Sequence, residues 1–259
     1  MGDAALMEAA LAAAEAAGAA ALRHWRGGLA VERKADGSPV TVADRQAEQA
    51  ARDWIGARFP TDGILGEELG VLRPGAPRRW VVDPIDGTIT FVRGVPLWGS
   101  LVAVIEGERV LAGAAVFPAV GERLCAAPGQ GCHWNGTRCR VSETARLAEA
   151  TVLVTDERFT RHPERAGGWR DLAMQARVAR TWGDCYGYLL VATGRAEVMV
   201  DPVLATWDAA PLQPIIEEAG GVFSNWFGRR AGLVGDAVAT NAALAAEARR
   251  ILGAEVVSR

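Results

Sequence analysis

The sequence predicts an α+β chain, with helices and an antiparallel meander in its first half and strand–helix alternation in its second. Three observations predict this. Residues 4–25 and 42–57 carry helical patterns. Two apolar runs of strand length, 97–105 and 110–117, are split only by the turn Glu106-Gly107-Glu108-Arg109. Beyond residue 140, short apolar runs alternate with helical ones.

The elements are justified in chain order. Residues 4–25 are Ala-rich with few β-branched side chains, which favours helix. Residues 42–57 follow Pro39 and place Ala47, Ala50, Ala51, Trp54 and Ile55 at helical spacing. Trp80-Val81-Val82 is a buried strand, which Pro84 should end because proline cannot donate to a ladder. The runs at 97–105 and 110–117 form a long hairpin, and Thr151–Val154 and Glu197–Val200 are later strands. Residues 208–219 begin with an acid, which suits the positive end of a helix, and 242–252 close the chain as another. Gly129-Gln130-Gly131 and Asn135-Gly136 mark turns before a changeover near residue 140. The expected division is an N-terminal α+β subdomain, 1–140, and a C-terminal α/β subdomain, 141–259.

Composition narrows the function classes. Half the residues are hydrophobic, enough for a sizeable core. Lysine and arginine number 28 against 31 acids, a net charge of −3 with no basic run, so nucleic acid is an unexpected partner. The Ala-rich N-terminus carries Asp3, Glu8 and Glu15 and lacks a basic leader, so it reads as a helix of a cytoplasmic protein with no membrane partner. The spacing of Cys125, Cys132, Cys139 and Cys185 is too wide for a zinc knuckle, and reduced thiols are expected.

The chemistry concentrates in Trp80–Thr88. A buried strand runs into Asp83-Pro84-Ile85-Asp86-Gly87-Thr88, so two carboxylates share a tight turn at its end. Gly87 allows close backbone approach to a ligand, and a helical turn opening at Thr88 would aim free N–H groups at a phosphate. Gly66-Glu67-Glu68 and Trp207-Asp208 echo the pattern. Each has a bland explanation by itself: a helix cap for Asp208, solvated charges for Glu67 and Glu68, and a β-turn for Asp83-Pro84. Together they supply the oxygen ligands that a hard cation such as Mg²⁺ needs.

These segments resemble the inositol-monophosphatase superfamily. Asp83 to Thr88 matches its DPxDGT signature, Gly66-Glu67-Glu68 its GEE element and Trp207-Asp208 its WD element. Thr41, Asp44 and Glu48 match TxxDxxxE, and Glu218-Ala219-Gly220-Gly221 also fits, so the likeness spans nearly the whole chain. The resemblance implies a layered α-β-α-β-α sandwich of the inositol-monophosphatase and fructose-bisphosphatase type. It also implies a homodimer, a small phosphate ester as substrate, and about two to three Mg²⁺ ions per active site. Carried over by position, Glu67, Asp83, Asp86 and Asp208 would ligate metal through carboxylates, and Ile85 through its carbonyl. Asp44 and Thr88, with Glu67, would activate the attacking water. Gly87 and Thr88 N–H groups would hold the phosphate, and Glu68 would stand behind the ligands. His24, His133 and His162 lie outside every motif, so direct attack by water is preferred to a phosphohistidine. An aspartyl-phosphate intermediate at Asp83 or Asp86 is the lesser alternative.

Substrate choice points to one branch. Gly183-Asp184-Cys185-Tyr186-Gly187-Tyr188 and Arg93–Gly99 resemble histidinol-phosphate phosphatases of histidine biosynthesis. An acid at Asp184, with Asp201 as a second anion, suits a cationic substrate better than a neutral polyol. A helix cap is the competing role for Asp184. Ile89-Thr90 departs from the Lys-Ser common in that branch and from the Thr-Asn of the inositol branch. The alternatives are an inositol-1-phosphate or broad sugar-phosphate phosphatase, and a regulatory protein- or RNA-binding member that keeps the fold.

Overall fold

The computed structural model describes residues 2–35, 37–229 and 235–253. Its elements in order are α1 (Asp3–Leu22), β1 (Glu32–Arg33), β2 (Pro39–Val40), α2 (Val42–Arg58), β3 (Gly63–Gly66), β4 (Gly70–Leu72), β5 (Arg78–Asp86), α3 (Thr88–Val92), β6 (Gly99–Glu106), β7 (Arg109–Phe117), β8 (Glu122–Ala127), β9 (Gly131–Trp134), β10 (Thr137–Cys139), β11 (Thr151–Val154), α4 (Ala166–Gln175), β12 (Val178–Arg180), α5 (Cys185–Ala192), β13 (Val198–Leu204), α6 (Thr206–Glu218), β14 (Val222–Ser224), β15 (Gly235–Thr240) and α7 (Ala245–Ile251).

Two sheets organise the described residues. The larger has eight strands in the order β10-β9-β8-β7-β6-β5-β3-β4, antiparallel except where β3 runs beside β5. The smaller has five, β12-β11-β13-β15-β14, with a parallel core around β11. Helices α1 and α2 cover one face of the large sheet, burying Ala10, Ala14, Ala47 and Ile55 against Trp80, Val102 and Ala114. Helices α5 and α6 lie between the sheets, where Leu189, Leu212 and Ile215 meet Leu101 and Phe117 on one side and Met199 and Ala239 on the other. Helices α4 and α7 close the outer face of the small sheet through Trp169, Leu172 and Ala248. The order of layers is therefore α-β-α-β-α, as the resemblance implied.

Small side chains set the spacing of the layers. Helix α1 is long and apolar enough to cross a membrane by length and composition, yet its alanine face is core. A Cβ on Gly113 in β7 would fall 2.2 Å from the Pro211 carbonyl oxygen, so glycine there lets α6 lie directly on the sheet. The Glu218 carboxylate at the far end of α6 accepts the backbone N–H groups of Gly129 and Gly131, which ties the β8–β9 turn to that helix. The four cysteines are free thiols.

One expectation about strands fails. β5 does not stop at Pro84 but continues to Asp86, through a break in register. Asp83 pairs with Leu101 and Asp86 with Gly99, so two residues of β5 face Ser100 alone. Pro84 sits in this bulge, where its missing N–H leaves no rung unmade, and its carbonyl accepts the Ser100 hydroxyl at 2.6 Å.

Candidate active site

The bulge in β5 turns the sequence motif into a site. Asp83 and Asp86 leave the strand on the side where α6 begins. Asp208 lies in the first turn of α6, and one Oδ accepts the Ala205 N–H at 2.8 Å, so it serves the helix start as well as the site. One carboxylate oxygen from each of Asp83, Asp86 and Asp208 lies within 4.8 Å of the other two. Carboxylates this close need a shared proton or an intervening cation.

Burial dominates the electrostatics. It pushes Asp83 well above the usual carboxylate range, with Glu67, Asp86 and Asp208 adding repulsion. Asp86 is pushed up to about 7 by burial and then by Asp208, against the Cys185 N–H that it accepts. Asp208 is pushed up to about 6, again by burial first. Three acids that resist ionising side by side are a donor set waiting for a hard cation, so the residues present fit a metal centre.

A second group stands beside the triad. Thr41 caps α2, and Asp44 closes the capping box by accepting the Thr41 N–H at 2.8 Å on Oδ2. Its other oxygen, Oδ1, faces the Thr88 hydroxyl at 3.4 Å, and that hydroxyl also reaches the Ile85 carbonyl at 3.0 Å. Burial raises the Asp44 carboxyl. Gly87, at φ 85°, opens α3 and turns the chain sharply enough to bring Ile85 and Thr88 together.

Glu67 and Glu68 arrive on the loop after β3, and Glu48 holds that loop. Fully buried on α2, Glu48 accepts the Glu68 and Leu69 N–H groups and pairs with Arg52 at 2.7 Å. A Cβ on Gly66 would lie 1.9 Å from Glu48 Oε1, which explains the glycine. The Lys34 ammonium, from the β1–β2 turn, bridges Glu67 at 2.6 Å and Glu68 at 2.5 Å. Glu67 thus lines the mouth of the site, next to Gly87 and Thr88, but outside the close triad.

Asp184 and Asp201 line the inner cavity of about 140 Å³ together with Asp86 and Asp208. Asp184 occupies the cap position of α5, yet its side chain makes no capping bond, so the helix-cap role fails. Its carboxylate instead lies beside Gly87, where an added Cβ would be 3.1 Å away, and accepts the Thr90 hydroxyl at 3.3 Å. Its backbone is strained, with φ 51° and ψ −158°, which costs on the order of 1–3 kcal/mol. Burial, then Asp86, pushes Asp184 up to about 7. Asp201 is buried and accepts the Tyr188 hydroxyl at 3.0 Å. Ile89 is 66 % exposed and lines the mouth. In the Arg93–Gly99 segment, Trp98 is core, packed edge-on against Phe91.

Residues 3–255 match the model of the inositol monophosphatase family. The chain belongs to this family. It is 43% identical over 232 residues to the histidinol-phosphatase of Chlorobaculum parvum, covering 89% of each chain, and 36% identical to that of Streptomyces coelicolor, covering 89% of this chain and 90% of the other. Among solved structures, an inositol monophosphatase from Zymomonas mobilis superposes with a TM-score of 0.84 at 33% identity, over 95% of this chain and 97% of the other. These likenesses place the chain in the histidinol-phosphatase branch and make it a phosphoric monoester hydrolase.

The motif residues Asp44, Asp83, Asp86, Thr88 and Asp208 come together, with Glu67 at the mouth and Glu218 at the far end of α6, but several neighbours of this centre were not anticipated. Lys34 belongs to no motif. Tyr188 enters the sequence reading only as the last residue of the Gly183–Tyr188 string, and Thr90 as part of a departure from the family pattern. Thr155 follows the apolar run of β11, and a hydroxyl at the end of a central strand was its only signal.

Proposed function

We propose that the chain hydrolyses histidinol phosphate to histidinol and phosphate, using Mg²⁺ and a directly attacking water. The observation that carries this reading is the Asp184 carboxylate, half-buried beside Gly87 and Asp86 and free of any side-chain capping bond. A half-buried anion lining the cavity at that place rewards an ammonium or imidazolium group and is poorly matched to a neutral polyol. The likeness to histidinol-phosphatases supports the same substrate.

Asp83, Asp86 and Asp208 would hold the metal, with Glu67 and the Ile85 carbonyl completing the donor set. Bound there, Mg²⁺ supplies positive charge that acidifies water and offsets the charge of the phosphoryl oxygens. The protein's own groups do the rest. The Gly87 and Thr88 N–H groups, at the start of α3, orient the phosphoryl group. The Thr88 hydroxyl takes a proton from the attacking water and passes its own to Asp44, whose raised affinity for protons suits it to receive one. Asp184 orients the cationic end away from the phosphoryl group, and Asp201 shapes the cavity behind it.

Family likeness is the support for about two to three ions per site, for a homodimer and for a cytoplasmic location. Light scattering tests the dimer. The decisive measurement is kcat/KM, with Mg²⁺, for histidinol phosphate, inositol-1-phosphate and an aryl phosphate. Histidinol phosphate should lead by at least about ten-fold. If inositol-1-phosphate leads, the reading of Asp184 is wrong.

A further inference from the structure

Thr155 stands where three cavities meet. It lines the inner cavity with Asp184 and Asp201, the mouth with Gly87 and Thr88, and an outer pocket of about 280 Å³ with Asp156 and Phe159. It is the first residue beyond β11, so its position is fixed by a strand paired on both sides, to β12 and β13.

Its hydroxyl has a fixed partner. Oγ1 accepts the Asp184 N–H at 2.9 Å, and Thr155 borders the same inner cavity as Asp201. These two acids come from different elements, the start of α5 and the middle of β13. Thr155 therefore holds the first acid of the proposed recognition pocket and borders the second. The approach is close: a Cβ on Gly183 would lie 2.3 Å from the Thr155 Cα. The residue after that glycine, Asp184, has the strained backbone, and a strained conformation persists only where its surroundings over-determine it. The Thr155 bond fixes its N–H, and the Thr90 bond fixes its carboxylate.

We infer that Thr155 is a positioning residue for substrate recognition: its hydroxyl fixes the start of α5, and with it Asp184, so that the cationic end of the substrate meets a preorganised anion. This rests on the histidinol-phosphate reading. Among the described residues no hydrogen bond joins Thr155 to the groups proposed to hold metal or phosphate, so the loss should fall first on the cationic end.

Three forms of the full-length enzyme test this: wild type, Thr155→Val, which keeps the shape without the hydroxyl, and Thr155→Ser, which keeps the hydroxyl. For histidinol phosphate, Thr155→Val should lower kcat/KM about ten-fold or more, mainly through KM, and Thr155→Ser should return it to within about two-fold of wild type. An aryl phosphate, which has no cationic end, should be turned over by all three within about two-fold. Equal loss on both substrates, failure of serine to rescue, or no change in Thr155→Val would each overturn the inference. If Thr155→Val is too unstable to assay, Thr155→Ala replaces it under the same criteria. The wild-type preference among esters reports separately on the substrate reading. If another ester leads there, the same variant-to-wild-type ratio is read on that ester.

Discussion

Asp83, Asp86 and Asp208 cannot readily all be charged within 4.8 Å of one another unless a cation stands among them, and that gives each acid of the site its expected phenotype. Asp83→Asn keeps the shape and removes one formal charge from the donor set. Mg²⁺ affinity and kcat/KM should fall together, by about a hundred-fold or more, with the circular dichroism spectrum unchanged. Wild-type turnover at ordinary Mg²⁺ would remove Asp83 from the metal site. Thr88→Ala separates metal from proton transfer. Its hydroxyl lies between Ile85 and Asp44, so kcat should drop by about 10²–10⁴ while Mg²⁺ affinity, read by calorimetry, stays close to wild type. Collapse of metal affinity would make Thr88 structural. Asp184→Asn should lower kcat/KM for histidinol phosphate about ten-fold to a hundred-fold, the range of a lost charge-assisted contact, and leave an aryl phosphate nearly unaffected. Parallel loss on both substrates would assign Asp184 to the fold alone.

Elements carry these residues to one place, and their close contacts are as specific as the acids. Helix α6 brings Asp208 to β5 because Gly113 lets its backbone touch β7. In Gly113→Ala the new methyl meets a carbonyl, which cannot yield as a flexible side chain would. A loss of about 1–3 kcal/mol is expected, together with weaker Mg²⁺ binding as Asp208 is displaced. Unchanged Tm and metal affinity would show that the layers can part without cost. The sequence made α1, α2, α6 and the β6–β7 hairpin legible, because each is long and strongly periodic. Strands β4, β10 and β12 escaped: each has three residues at a sheet edge, where exposed side chains blur the pattern. The end of β5 was misjudged for a different reason. Proline breaks a regular ladder, but a bulge gives it a place that no local rule specifies. Within the site, the acids were legible as motifs. Lys34 and Thr155 were not, since their roles come from partners 33 and 29 residues away.

The whole molecule is built around charges that it cannot stabilise unaided, and its stability should show that. Asp83, Asp86, Asp184 and Asp208 all bind protons more tightly in the fold than in an unfolded chain, where aspartates titrate near 4. Between about pH 4 and the folded values of about 6 to 7, the folded state therefore holds more protons than the unfolded one. Stability must then fall as pH rises through that window: it is complete below the unfolded value and lost above the folded one. In excess EDTA, the Tm should be highest near pH 5 and lower at pH 8. Mg²⁺ binds the ionised acids, so its stabilisation should grow over the same range and flatten or reverse the slope. For a chain of this size each kcal/mol recovered corresponds to a rise of about 2–4 °C. Asp83→Asn sharpens the test, because it removes one of the repelling charges. At pH 8 in EDTA it should melt above wild type, and with Mg²⁺ it should melt below, so that the order of the two proteins reverses with the metal. A wild-type Tm that rises from pH 5 to pH 8 in EDTA, or an Asp83→Asn protein less stable under both conditions, would mean that the cluster is neutralised by the protein itself and is not held ready for a cation.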